Sequence, residues 1–331
     1  MKSVIAAAAA LGIAGTWASA GTGILAGAQS PEAIGVDLAT LNQGQKVQLW
    51  HVQGRVYLLT GAGANITAQI GDGGSVLVNA GSHEMGAEVI AAVRRLSTAP
   101  IQYIIDTNSD PEVVGGTTEV AQAGHVNTGQ PGEPSGAAVV AQLQTLDRLS
   151  GARPAGAEIP TDGFEEHWSF YNDEGVTLVH APAAHSDGDT YVFFRRSDVI
   201  STGDLFDTDH YPVIETDKGG SLDGVINALN DIIELMIPRE NEEGGTYLIP
   251  GHGRICDRTE ISNYRDALTI IRGRIRHFVS KHMSLEQVLA AQPTLDYDGS
   301  YGVNNSTWTT RMFIEAVYRE ASAPRKKGPQ S

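Results

Sequence analysis

The chain has 331 residues, 41% of them hydrophobic, which is enough for a well-buried core in one large domain. Its 23 Lys and Arg stand against 39 Asp and Glu, and the net charge of −16 argues against nucleic acid or an anionic membrane surface as a partner. A single cysteine, Cys256, excludes an internal disulfide, and its place just after Pro250-Gly251-His252-Gly253 reads as packing rather than as a reactive thiol.

Met1-Lys2-Ser3 followed by the apolar run Val4 to Ala18 reads as a secretory signal peptide with a cleavage site at Ala18-Ser19-Ala20. That predicts loss of residues 1–20 and a periplasmic or extracellular location, with an uncleaved anchor as the alternative; no other stretch reads as a membrane span. Residues 21–45 read as an irregular arm. From Val47 short strands follow: Val47 to Val52, Val56 to Thr60, Asn65 to Ile70 and Ser75 to Asn79, split by turns such as Gly61-Ala62-Gly63 and Asp72-Gly73-Gly74. An amphipathic helix opens at His83-Glu84 and runs to Leu96, and Ile101 to Ile105 reads as a buried strand.

That strand runs into Asp106-Thr107-Asn108-Ser109-Asp110-Pro111-Glu112-Val113-Val114-Gly115-Gly116. Asn108, Asp110 and Glu112 recur at every second position, so an extended loop would aim all three at one point. Converging oxygen donors suit a cation. The alternative is a helix N-cap, in which Asn108 or Asp110 accepts backbone N–H groups and Pro111 takes the first turn. Helices are predicted over Glu112 to Ala123 and Gly136 to Leu149, with Gln130 to Pro134 as a surface loop between them.

Strands are next predicted over Phe164 to Trp168, Val176 to His180, Thr190 to Arg195, Val199 to Ser201 and Thr246 to Ile249. His185-Ser186-Asp187-Gly188-Asp189, Thr202-Gly203-Asp204 and Pro250-Gly251-His252-Gly253 each follow an apolar run. One such residue alone reads as a loop side chain with a satisfied hydrogen bond, but four strand ends of this kind point to a shared site. The loop Leu205 to Gly220 carries Asp207, Asp209, His210 and Tyr211, either a solvated loop or a pocket border. Ser221 caps a helix to Met236. Asp257 to His282 is a long helix with apolar residues at helical spacing, Ser284 to Ala291 a shorter one and Thr307 to Arg319 the last, before a tail at 323–331 that carries Arg325-Lys326-Lys327.

From about Val47 to Gly253, this order of motifs resembles the metallo-β-lactamase superfamily, whose first turn reads Thr-His-x-His-x-Asp-His-x-Gly-Gly. Later segments of that family supply a third His, a bridging Asp and a last His for a two-metal centre. Thr107, Gly115, Gly116, His185, Asp204 and His252 match. Asn108 stands at the first His, Asp110 at the second, Glu112 at the Asp and Val113 at the fourth ligand, and Asn79 stands where many members have an Asp. The resemblance implies an α+β fold, a four-layer αββα sandwich over residues 46–256, with C-terminal helices at 257–322 packed on it. It implies one metal pocket of Asn108, Asp110, His185 and Asp204 and another of Glu112, Asp204 and His252.

These oxygen-rich sets suit Mn or Ca as well as Zn, and the isopropyl group of Val113 coordinates nothing. If Asp110, Glu112 and Asp204 converge without a cation, at least one of their pKa values should rise. Two function classes follow: a catalytically silent relative that binds a small-molecule ligand or a protein partner, and a divergent hydrolase. The hydrolase would hold one divalent metal through some of Asp110, Glu112, His185, Asp204 and His252 and cleave an ester, lactone or amide. A third arrangement uses Asp110 and Glu112 as a metal-free acid and base pair.

Overall fold

The computed structural model describes residues 37–126, 136–241, 244–302 and 307–323. The predicted leader at 1–20, the Gln130 to Pro134 loop and the Arg325-Lys326-Lys327 tail lie outside the described residues.

Short alternating runs become strands that are covered on both faces. In β2 (Val56–Thr60), Val56 and Leu58 turn one way and Tyr57 and Leu59 the other, and all four are buried. β1 (Gln48–Gln53), β2, β3 (Ile66–Ile70), β4 (Ser75–Val78), β5 (Ile101–Asp106), β6 (Ala138–Gln142) and β7 (Asp162–Phe164) form a seven-stranded sheet in chain order. Its first four strands are antiparallel and β4 to β7 are parallel. β8 (His167–Tyr171), β9 (Gly175–Ala181), β10 (Asp189–Phe194), β11 (Val199–Asp207) and β12 (Tyr247–His252) form a five-stranded sheet in the order β12-β11-β10-β9-β8, in which β11 and β12 are parallel.

The helices are α1 (Leu38–Asn42), α2 (Gly86–Leu96), α3 (Pro111–Val114), α4 (Thr117–Gln122), α5 (Leu143–Gly151), α6 (Leu222–Leu235), α7 (Arg258–Ser280), α8 (Leu285–Ala290), α9 (Asp298–Tyr301) and α10 (Thr310–Ser322). Between the sheets, Val56, Leu58, Val78 and Val140 face Leu178, Val192, Phe194 and Ile249. Val89, Val93 and Leu96 of α2 and Val120 of α4 cover the outer face of the first sheet. Leu229 and Ile232 of α6, Leu268 and Ile271 of α7, and Phe313 of α10 cover the second. The result is the αββα sandwich.

Five predicted elements differ. Helix α1, capped by Asp37, stands in the arm expected to be irregular, and β11 runs past Ser201 to Asp207, so that Asp204 lies within a strand. Ala138-Val139-Val140-Ala141 is strand β6 rather than helix, because it pairs in parallel with β5 and is buried from Val139 onward; α5 begins only at Leu143, capped by the Gln142 side chain on Gln144 N at 2.6 Å. The expected helix from Glu112 to Ala123 breaks into α3 and α4 at Gly115-Gly116, where a Cβ on Gly116 would strike the Ala80 carbonyl. The expected strand from Phe164 to Trp168 divides into β7 of one sheet and β8 of the other. Ser221, Asp257 with Glu260, and Ser284 with Gln287 cap α6, α7 and α8.

Candidate functional site

Asn79, just past β4 with φ of 71°, anchors the first turn. Its Oδ1 accepts from Thr107 N at 3.2 Å and Thr107 Oγ1 at 2.8 Å, and its Nδ2 donates to Asn65 O at 3.3 Å. Asn65 Nδ2 donates in turn to Pro250 O at 2.9 Å and Gly253 O at 3.1 Å, so two amides tie the end of β5 to the His252 loop. A Cβ at Gly251 would strike Asp204 Oδ1, which is why that loop can press against β11.

Asp110, Glu112, His185, Asp204 and His252 consequently line one cavity of about 220 Å³, together with Phe206, Asp207, His210, Tyr211, Val213 and Trp308. Asn108 borders the same cluster, its Nδ2 donating to Asp204 Oδ2 at 2.6 Å. His185 Nε2 lies 3.6 Å from Asp110 Oδ2, and His252 Nε2 lies 3.2 Å from Glu112 Oε1 and 3.7 Å from Asp204 Oδ1. Asp204 Oδ1 is buried without a hydrogen-bond partner. Val113 packs, fully buried, with Ala64, Val114, Leu149 and Ala157.

The N-cap alternative holds for the backbone and not for the side chains. Asp110 occupies the N-cap of α3 with Pro111 following, yet its carboxylate makes no cap bond; Asn108 Oδ1 accepts from Asp110 N at 2.9 Å and closes a local turn. Glu112 lies in the first turn of α3, so the every-second-residue pattern ends at Asp110, and Glu112 reaches His252 from the helix.

The Asp110 carboxylate is freed for a residue that motif reading missed. Lys218 Nζ donates to Asp110 Oδ1 at 2.9 Å and lies 2.7 Å from Glu215 Oε2. Glu215 Oε2 is also 3.8 Å from His185 Nε2. The loop that carries both residues is zipped to the His185 turn, with Glu215 N donating to His185 O at 2.8 Å and Asp187 N to Lys218 O at 2.9 Å. The signal available in sequence was an acid and a base three residues apart, directly before Gly219-Gly220.

Charge is balanced from within. Burial alone would lower the pKa of His185, but Asp189, Asp204 and Asp110 outweigh it and raise the value to about 10. The hydrogen bond that His252 donates to Glu112 raises the His252 pKa to about 9, and the same bond pulls Glu112 below the ordinary carboxylate value. Asp204 is raised, first by burial and only to a lesser degree by repulsion from Asp110. Burial opposes the charge on Lys218, while Glu215 and Asp110 raise its pKa.

Asp110, His185 and Glu215 each offer a ligand atom within 4.8 Å of the other two, and among the described residues no second group of three does so. Two carboxylates and an imidazole fit Zn or Mn by donor type. The expected set of Glu112, Asp204 and His252 is joined pairwise through His252 instead.

No family model and no curated protein matches the chain. Solved structures do. The stereoselective inverting sec-alkylsulfatase Pisa1 from Pseudomonas sp. aligns with a TM-score of 0.60 at 15% identity, covering 83% of this chain and 50% of that one. The DIM-1 metallo-β-lactamase aligns at 0.52 and 12% identity, over 68% of this chain and 97% of that one. A metallo-β-lactamase from Pontibacter korlensis aligns at 0.52 and 15%, over 67% and 99%. This chain has the metallo-β-lactamase fold. It spans half the length of the alkylsulfatase, and in all three alignments the likeness is one of fold.

Proposed function

We propose that this metallo-β-lactamase-fold chain is a binding protein that takes a small molecule in the cavity beside Asp204 and does not carry out two-metal hydrolysis. The observation that carries the reading is the 2.6 Å hydrogen bond from Asn108 to Asp204: the carboxylate that resembles the family's metal bridge is tied to a neutral amide. Val113, buried in an apolar cluster at the position of a further ligand, supports it. The cavity lining mixes charged side chains such as Asp204, Glu112 and His252 with the apolar Phe206, Val213 and Trp308, which suits an amphipathic ligand. The leader pattern from Met1 to Ala20 adds export from the cytoplasm to this reading, and N-terminal sequencing of the mature protein checks it.

Hydrolysis with a single metal is the second reading, favoured by the group of Asp110, His185 and Glu215 and by a fold shared with an alkylsulfatase and β-lactamases. A divalent ion held by those three side chains would polarise a substrate oxygen or acidify a bound water. The deciding experiment pairs a thermal-shift screen of amphipathic small molecules with a turnover screen on esters, lactones, sulfate esters and β-lactams in added Zn or Mn. We expect ligands whose stabilising shift is lost in Trp308→Ala, and no turnover. Metal-dependent turnover that disappears in Asp110→Asn would establish the hydrolase instead.

A further inference from the structure

We propose that Lys218 is the resident cation of this site: its ammonium takes the place of a divalent ion between Asp110 and Glu215 and keeps such ions out. The inference rests on the reading that the centre is a binding site without catalytic metals, and it names the side chain responsible.

Lys218 Nζ lies 2.9 Å from Asp110 Oδ1 and 2.7 Å from Glu215 Oε2, in contact with two of the three side chains that a metal would need. Lys218 is 33% exposed at its side chain, but it sits on a segment that is held in place. Its carbonyl accepts from Asp187 N at 2.9 Å and from Arg148 Nη2 at 3.0 Å, and its own N–H donates to Glu215 O at 2.9 Å, so the backbone beneath it is pinned. The third side chain, His185, keeps its Nε2 out of hydrogen-bond reach of both carboxylates. It is 1% exposed; its Nδ1 meets Asp189 Oδ1 at 3.1 Å, while Nε2 faces Asp110 Oδ2 at 3.6 Å and Glu215 Oε2 at 3.8 Å. A buried ring nitrogen aimed at two carboxylates, oriented from behind by a third, is the arrangement that ligates metal elsewhere. An ammonium and a dication cannot share the same two carboxylates at contact distance, because their mutual repulsion is not screened in a partly buried cluster.

Removing the ammonium therefore opens the two carboxylates to a metal, which His185 joins as a ligand on losing its Nε2 proton. Lys218→Met and Lys218→Gln keep most of the stem and delete the charge, whereas Lys218→Arg retains it. Zn and Mn titrations of the full chain by calorimetry should show the two neutral variants binding at least ~10-fold more tightly than the parent, with Lys218→Arg like the parent. Adding Asp110→Asn to Lys218→Met should abolish the gain. Equal affinities in the parent and both neutral variants overturn the inference. Should both neutral variants fail to fold by circular dichroism, a crystal structure of the parent grown in excess Zn decides: no ion at Asp110, Glu215 and His185 upholds it, and an ion there with Lys218 still in contact overturns it. Metal bound by the parent as tightly as by the neutral variants, without turnover, would defeat only the role of Lys218, whereas such binding with turnover would defeat the binding-protein reading as well.

Discussion

Asp106, the last residue of β5, is fully buried, with Oδ1 accepting from Thr117 Oγ1 at 3.1 Å and Oδ2 without a partner. Burial pushes its pKa up to about 8, opposed only by the Thr117 bond. A carboxyl raised in the folded state contributes stability that is complete below its unfolded pKa near ~4 and is lost as pH climbs through about 8. Each pH unit inside that window costs ~1.4 kcal/mol, which makes ~4 kcal/mol the ceiling on the loss by about pH 7. In Asp106→Asn nothing titrates at this position. The amide oxygen can still accept from Thr117, but the new NH2 group replaces an atom that has no neighbour to bond, at a pH-independent cost of ~1 to 3 kcal/mol. Parent and variant should therefore lie close together near about pH 5, and the variant should lead by ~2 to 4 kcal/mol near about pH 8. Urea denaturation of both proteins across this range supplies the difference, from which every other titrating group cancels. A gap that stays flat with pH would refute the reasoning, since it would mean that Asp106 is ionised, or equally neutral, throughout.

Two further expectations concern packing. Gly203 has φ of +52°, and a Cβ there would lie 2.8 Å from Thr107 Oγ1, so Gly203→Ala should lose ~1 to 3 kcal/mol through backbone strain and displacement of the Thr107 turn; an unchanged melting temperature would count against that close approach. Cys256 is 2% exposed, donates to Arg254 O at 3.0 Å and is pushed by burial to a pKa of about 12, so a thiol-specific disulfide reagent should leave the native protein unmodified and label it only in denaturant. Labelling at the rate of a free thiol under native conditions would show the residue to be accessible.

The parts of this fold that were legible in the sequence are those whose cause is local. Ser221 before Leu222, and the Asp257 and Glu260 pair, mark their helix starts because the caps are made by residues two or three positions away. Strand β6 was not legible. Gly136-Ala137-Ala138-Val139-Val140-Ala141-Gln142 is rich in helix formers and lacks alternation, and only its parallel pairing with β5 makes it a strand. The split between β7 and β8 has the same origin, since nothing within Phe164 to Trp168 says that its two ends belong to different sheets.

The site divides along the same line. Asp110, His185, Asp204 and His252 are identifiable because each follows an apolar run of sequence, although Asp204 lies within β11 and His252 closes β12 rather than lying beyond a strand end. Glu215 and Lys218 follow no strand end; two long-range backbone hydrogen bonds to the His185 turn place them, and no spacing in the sequence encodes those. The expectation that at least one of the three carboxyl pKa values rises is met at Asp204, but chiefly for a different reason. Burial rather than repulsion does most of the raising at Asp204, and Glu112 is lowered by the hydrogen bond it accepts from His252. The positive charge that relieves the repulsion is spread over His185, His252 and Lys218, side chains drawn from three separate turns. An acidic cluster read from sequence therefore says little about metal demand until the bases that fold onto it are known, and here Lys218 makes that difference.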